Sequence, residues 1–182
     1  PLNPAFQAIL PEHRIDFFID RDALIRDIHR EYPDARFVQT HRDPVKIVIS
    51  ISNLAATLQS LASDHVDVGR VTRYYAHALA QGYNNTVAYR KSGALPESQV
   101  VDLYFRDFMA DQVGTVRRAY AHFGMELPED AAQAMQGFLD ANPADKHGKH
   151  LYSLANTGME EAELRALFTE YEAYFDVPRE TL

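Results

Sequence analysis

An arginine followed two residues later by a proline and eight residues later by a serine is the pattern in this chain best suited to chemistry: Arg42, Pro44 and Ser50. They lie in the stretch YPDARFVQTHRDPVKIVISISNLAATLQSL, from Tyr32 to Leu61. A guanidinium is planar, permanently charged and shaped to grip two oxygens of a phosphate. Proline is at home in the first position of a helix, where its missing N–H costs nothing. A helix starting at Pro44 turns its free N–H groups and the positive end of its dipole toward the loop that carries Arg42. Ser50 adds a hydroxyl to an otherwise apolar run. We read Arg42 and Ser50 as ligands of a phosphate. The plainer alternative is a surface arginine and a serine that bonds back to its own helix. His41 flanks the loop and could border a nucleotide, although a histidine there more often packs or closes a strand.

A second group with the right chemistry is Lys146, His147, Lys149 and His150, in the segment KHGKH. These side chains could clamp a phosphate through charge-assisted hydrogen bonds, or form an ordinary solvated loop. A zinc site on His147 and His150 would need two more ligands, and none stands at metal spacing. We therefore expect no metal. Asp102, Asp107 and Asp111 read as strand-end and helix-cap residues rather than ligands.

The elements that must position these groups follow from pattern. Pro1 to Glu12 is proline-rich and reads as an arm, leaving 13–182 as one α/β domain. Arg14 to Ile19 is a short strand candidate, and Asp20 caps a helix through Arg30. Ala35 to Thr40 is a second strand. Strand, helix, strand in this order makes a βαβ unit with parallel strands. A helix runs from Pro44 to about Ser63, and another from Asp67 to Lys91, stopped by Gly93 and Pro96. Tyr75, Ala78, Leu79 and Tyr83 share a face of the latter, which we read as core or interface rather than a base-stacking surface. Gln99 to Phe105 is a third strand. Asp107 and Asp111 open a helix through Phe123, closed by Gly124. Helices over Pro128–Leu139 and Met159–Phe175 complete the chain.

Composition narrows the function. Acids outnumber bases 26 to 18 among 182 residues, for a net charge of −8. That balance argues against nonspecific nucleic-acid binding, which needs many basic contacts, but leaves room for one nucleotide site. There is no cysteine, so disulfides, thiolate metal sites and cysteine nucleophiles are excluded. No run approaches the ~20 apolar residues of a membrane span, and the first residues have no signal-peptide pattern. The compartment stays open, with the cytoplasm favoured.

The string YPDARFVQTHRDP with its following serine resembles the 3′-phosphate motif of sulfotransferases of the bacterial type. Val100 to Asp111, the cap Ala121 to Met125, and the later KHGKHLYSLANTGM and LFTEYEAYF are similar to further segments of that family. The resemblance spans roughly Tyr32 to Phe175. It implies a P-loop-like three-layer α/β/α fold with parallel strands and a helical C-terminal half. It implies transfer of a sulfuryl group from 3′-phosphoadenosine 5′-phosphosulfate (PAPS) to a hydroxyl or amine, without metal. The acceptor would be a carbohydrate, lipid, peptide or small metabolite. Carried over, Arg42 and Ser50 bind the 3′-phosphate, and the loop with Lys146, Lys149 and His150 closes over the nucleotide.

Two departures stand beside the resemblance. The family's glycine-rich loop for the 5′-phosphosulfate has no counterpart, since residues 1–41 contain no glycine. The stretch Phe17 to Arg21 lacks the family's lysine and histidine, and Arg21 makes a poor base. No catalytic residue can be named, and we expect the first βα unit to be missing. Two other readings follow. A non-catalytic scaffold would expose the strand edge where the missing unit belongs, which invites pairing with a second copy. A kinase-like phosphotransferase would need a Walker lysine and Mg²⁺ ligands, which are not evident.

Overall fold

The computed structural model of the chain describes residues 21–143, 153–155 and 157–182. Among them two strands form a sheet, β1 (Phe37–His41) and β2 (Val100–Tyr104). They pair in parallel, with Phe37 opposite Val100 and His41 opposite Tyr104. A parallel pair needs a long crossover. Here two helices supply it: α2 (Pro44–Ser60) and α3 (Val68–Lys91). Helix α1 (Arg21–Glu31) precedes β1 and packs on α3.

Each crossover helix begins on an aspartate. The Asp43 carboxylate accepts the Val45 N–H at 2.9 Å, and Pro44 takes the first helical position. The Asp67 carboxylate accepts the Arg70 N–H at 2.9 Å. Both satisfy donors that a helix start leaves open. Gly93, at φ +70°, turns the chain out of α3 in a conformation that disfavours a Cβ.

The apolar faces of these helices make the core. Val45, Val48 and Ile49 of α2 meet Ala76, Ala80, Tyr83 and Val87 of α3. Helices α7 (Glu161–Leu167) and α8 (Thr169–Tyr174) close over them with Leu164, Phe168, Tyr171 and Phe175. Burying each such large side chain contributes on the order of 1.5–3 kcal/mol. Tyr83 stacks on Tyr171 with ring centres 4.2 Å apart, so the expected core face of α3 is confirmed at that residue. Tyr75, by contrast, is only half-buried, beside Tyr74.

Beyond β2 the chain continues as α4 (Phe105–Ala110), α5 (Gln112–His122) and α6 (Glu129–Ala141). The architecture is α/β, with a parallel sheet and a mostly helical remainder. Two expected helices are each split. The helix expected to run unbroken to Phe123 stops at Ala110, because Asp111 leaves helical geometry (φ −154°, ψ 89°). Its carboxylate caps α5 by accepting the Gly114 N–H at 2.8 Å. The expected Met159–Phe175 helix breaks at Phe168, a fully buried residue at φ −112°, ψ 9°. The Thr169 hydroxyl donates to the carbonyls of Arg165 and Ala166 there, competing with the regular ladder. The arm 1–12, the strand Arg14–Ile19 and the group Lys146, His147, Lys149 and His150 lie outside the described residues.

Candidate functional site

Parallel strands end on the same side of their sheet, and in open α/β sheets that carboxyl edge is where ligands bind. A cleft of about 400 Å³ opens there, lined by Thr40, Arg42, Ile47, Tyr83, Tyr104 and Phe105 among others. Arg42 follows the last residue of β1, and Phe105 follows the last of β2. The in-register pairing of His41 with Tyr104 brings these two neighbours together. The Arg42 guanidinium carbon lies 4.0 Å from the centre of the Phe105 ring, a cation–π contact that orients the fork.

Arg42 is already engaged. Its Nε donates to Glu180 Oε1 at 2.9 Å and its Nη2 to Glu180 Oε2 at 3.0 Å. This is the two-bond geometry in which arginine grips carboxylate or phosphate. Ser50, the seventh residue of α2, is exposed and stands outside the residues that line the cleft. The cleft thus contains the expected arginine and not the expected serine.

The loop between them is held from beneath. Asp43 is buried, and besides capping α2 it takes Arg165 Nη1 at 3.3 Å, Arg165 Nη2 at 3.1 Å and the Glu180 N–H at 2.8 Å. Arg165 also donates to Glu172 at 3.1 Å, and Arg179 donates to the other Glu172 oxygen at 2.7 Å. One buried carboxylate therefore ties the arginine loop, the start of α2, helix α7 and the C-terminal tail. Sequence reading passed over this role. The available signal was the Asp-Pro pair, an N-cap followed by a proline suited to the first turn. Nothing in the sequence pointed to Arg165 or Glu180, more than 120 residues away.

His41 lines the same cleft and is held in a buried network. It is buried, its ring 4.4 Å from that of Phe175. Nε2 lies 2.8 Å from Asp102 Oδ1, and Nδ1 lies 2.8 Å from the Tyr171 hydroxyl. With Asp102 ionised, Nε2–H donates to it, and in the neutral ring Nδ1 accepts from Tyr171. Arg90 grips the same aspartate, donating to Oδ1 at 3.0 Å and Oδ2 at 2.8 Å. The expected strand-end role of Asp102 is thereby extended to a link between β2, α3 and β1.

Burial pushes the Asp102 carboxyl up, but hydrogen bonds and charge from His41 and Arg90 outweigh it and hold the group below the ordinary value of 3.8. A lowered carboxyl stabilises the fold above its ordinary value, and that contribution is lost as pH falls through the folded-state value. Melting temperature should therefore drop as pH falls below 3.8, and Asp102→Asn should flatten that acid limb. Parallel curves for the two proteins in thermal melts through the acid range would refute the assignment.

Among the described residues no group of three or more histidines, aspartates or glutamates could hold a metal. No helix among them is long and apolar enough to cross a membrane.

Comparison with known proteins places these features. The sequence profile of the sulfotransferase family matches residues 21–129. The crystal structure of sulfotransferase STF9 from Mycobacterium avium is similar with a TM-score of 0.78 at 24% identity, over 91% of this chain and 42% of that one. Sulfotransferase STF1 from Mycobacterium tuberculosis H37Rv is similar with a TM-score of 0.64 at 27% identity, over 82% of this chain and 36% of that one. The chain thus spans less than half the length of either structure. No curated protein matches it.

Proposed function

This chain belongs to the sulfotransferase family, and on that premise we propose that it takes part in sulfuryl transfer from PAPS, with Arg42 as the anchor of the donor's 3′-phosphate. The observation that carries the reading is the place of Arg42: on the cleft at the carboxyl ends of two parallel strands, its guanidinium in the bidentate geometry that suits a phosphate. Ser50, exposed and outside the lining of the cleft, enters this reading by its place in the motif alone. Lys146, Lys149 and His150 are assigned to the nucleotide on the same ground.

In the reaction, an acceptor oxygen or nitrogen bonds to the sulfur as the bond to the 5′-phosphate oxygen breaks. The acceptor's proton leaves to a base, and 3′-phosphoadenosine 5′-phosphate departs. Transfers of this kind depend on alignment and on charge neutralisation. An arginine gripping the remote 3′-phosphate contributes to the first of these, since binding energy far from the reacting atom orients the donor.

Calorimetric titration with 3′-phosphoadenosine 5′-phosphate beside 5′-AMP tests the proposal. We expect the bisphosphate to bind tighter by roughly tenfold or more, the scale of a charged hydrogen-bonded contact. Equal affinities would remove the 3′-phosphate site. They would favour a second reading, a scaffold that pairs through its sheet. That reading draws on Val38 of β1, whose 52% exposure leaves an apolar side chain uncovered on the sheet face beside such an edge. A homodimer formed by edge pairing would be its signature.

A further inference from the structure

We propose that Glu180 is a resident competitor for the candidate phosphate site, a carboxylate that an incoming phosphate must displace from Arg42. The inference rests on the phosphate reading of Arg42 given above. The Glu180 carboxylate spans Nε and Nη2 of the guanidinium at 2.9 and 3.0 Å. A phosphate presents two oxygens to an arginine in the same way, so the two anions compete for one edge. While Glu180 is in place, its charge cancels that of Arg42. Once it leaves, that edge of the guanidinium is open to the phosphate.

Displacement does not require the tail to detach. The Glu180 backbone N–H is held by the buried Asp43 at 2.8 Å. On either side, Arg179 is tied to Glu172 at 2.7 Å and Val177 is buried in the core, against which Leu182 packs. None of these contacts uses the Glu180 carboxylate. That side chain is 30% exposed, against 25% for Arg42, so it borders water into which it can swing. The fold thus keeps the tail fixed and leaves one rotatable arm to move, on the fast timescale of exposed side-chain rotamers.

The test titrates the 182-residue chain and its Glu180→Ala and Glu180→Gln variants with 3′-phosphoadenosine 5′-phosphate and with 5′-AMP. Both variants keep the backbone bond to Asp43, and thermal melts verify that they fold. If Glu180 competes, Glu180→Ala binds the bisphosphate roughly tenfold tighter, Glu180→Gln gains less, and 5′-AMP gains little. Wild type preferring the bisphosphate with no gain, or a loss, in Glu180→Ala overturns the competition alone. Glu180 would then be orienting the arginine. Failure of all three proteins to separate the two nucleotides overturns the phosphate site together with the competition.

Discussion

Arg42→Ala is expected to bind 3′-phosphoadenosine 5′-phosphate about 1.5–3 kcal/mol more weakly than wild type, roughly ten- to hundredfold in affinity. Two effects add. The phosphate loses its charge-assisted bonds, and Glu180, next to position 42, is left as an unneutralised carboxylate that repels the ligand. One effect opposes them, since wild type must first break the Arg42–Glu180 pair. The double variant Arg42→Ala/Glu180→Ala separates these contributions, because it removes repulsion and competition together. It should recover part, but not all, of the lost affinity. Arg42→Lys should rescue little, since an ammonium carries the charge without the fork. Unchanged bisphosphate affinity in Arg42→Ala, with folding intact by circular dichroism, would end the assignment of this residue to the donor.

Arg165→Leu should have the largest effect on stability, a loss of about 3–5 kcal/mol, because removing one member of a buried ion cluster strands the others. Arg165 bridges Asp43, which is fully buried, and Glu172, which is nearly so. Glu172 retains Arg179, but Asp43 would keep only the N–H groups of Val45 and Glu180. For a chain of this size the loss corresponds to a fall in melting temperature of roughly 10 °C. The consequence extends to the cleft, because Asp43 holds the loop next to Arg42 and the backbone of Glu180. Chemical denaturation read alongside the bisphosphate titration measures both. A loss below about 1 kcal/mol would show that the Asp43 cluster is not what fixes this loop.

Local signals were legible where the cause is local. Asp43-Pro44, Asp67, Gly93 and Gly124 mark helix boundaries through capping and backbone rules that act within a few residues. Asp111 shows the limit of such signals. As a cap it was visible, but whether it opens a new helix or sits inside a longer one depends on its backbone angles. At Phe168 the break goes with a buried ring and a hydroxyl bonded back to two carbonyls, which periodicity alone cannot register.

By itself the sequence determined the family, the alternation of strand and helix, and the arginine that follows β1, because these rest on contiguous residues and short spacings. Only the tertiary structure decided what those residues face. It made His41 a buried link to Asp102 and Tyr171 in the wall of the cleft. It paired Arg165 with Asp43 under the arginine loop and set Glu180 on the Arg42 fork, across separations of 122 and 138 residues. The physical reason is that a helix cap is satisfied by its own neighbours, whereas a buried charge takes whatever partner packing brings within reach. That partner is chosen by the fold of the whole chain, and no spacing in the sequence records it.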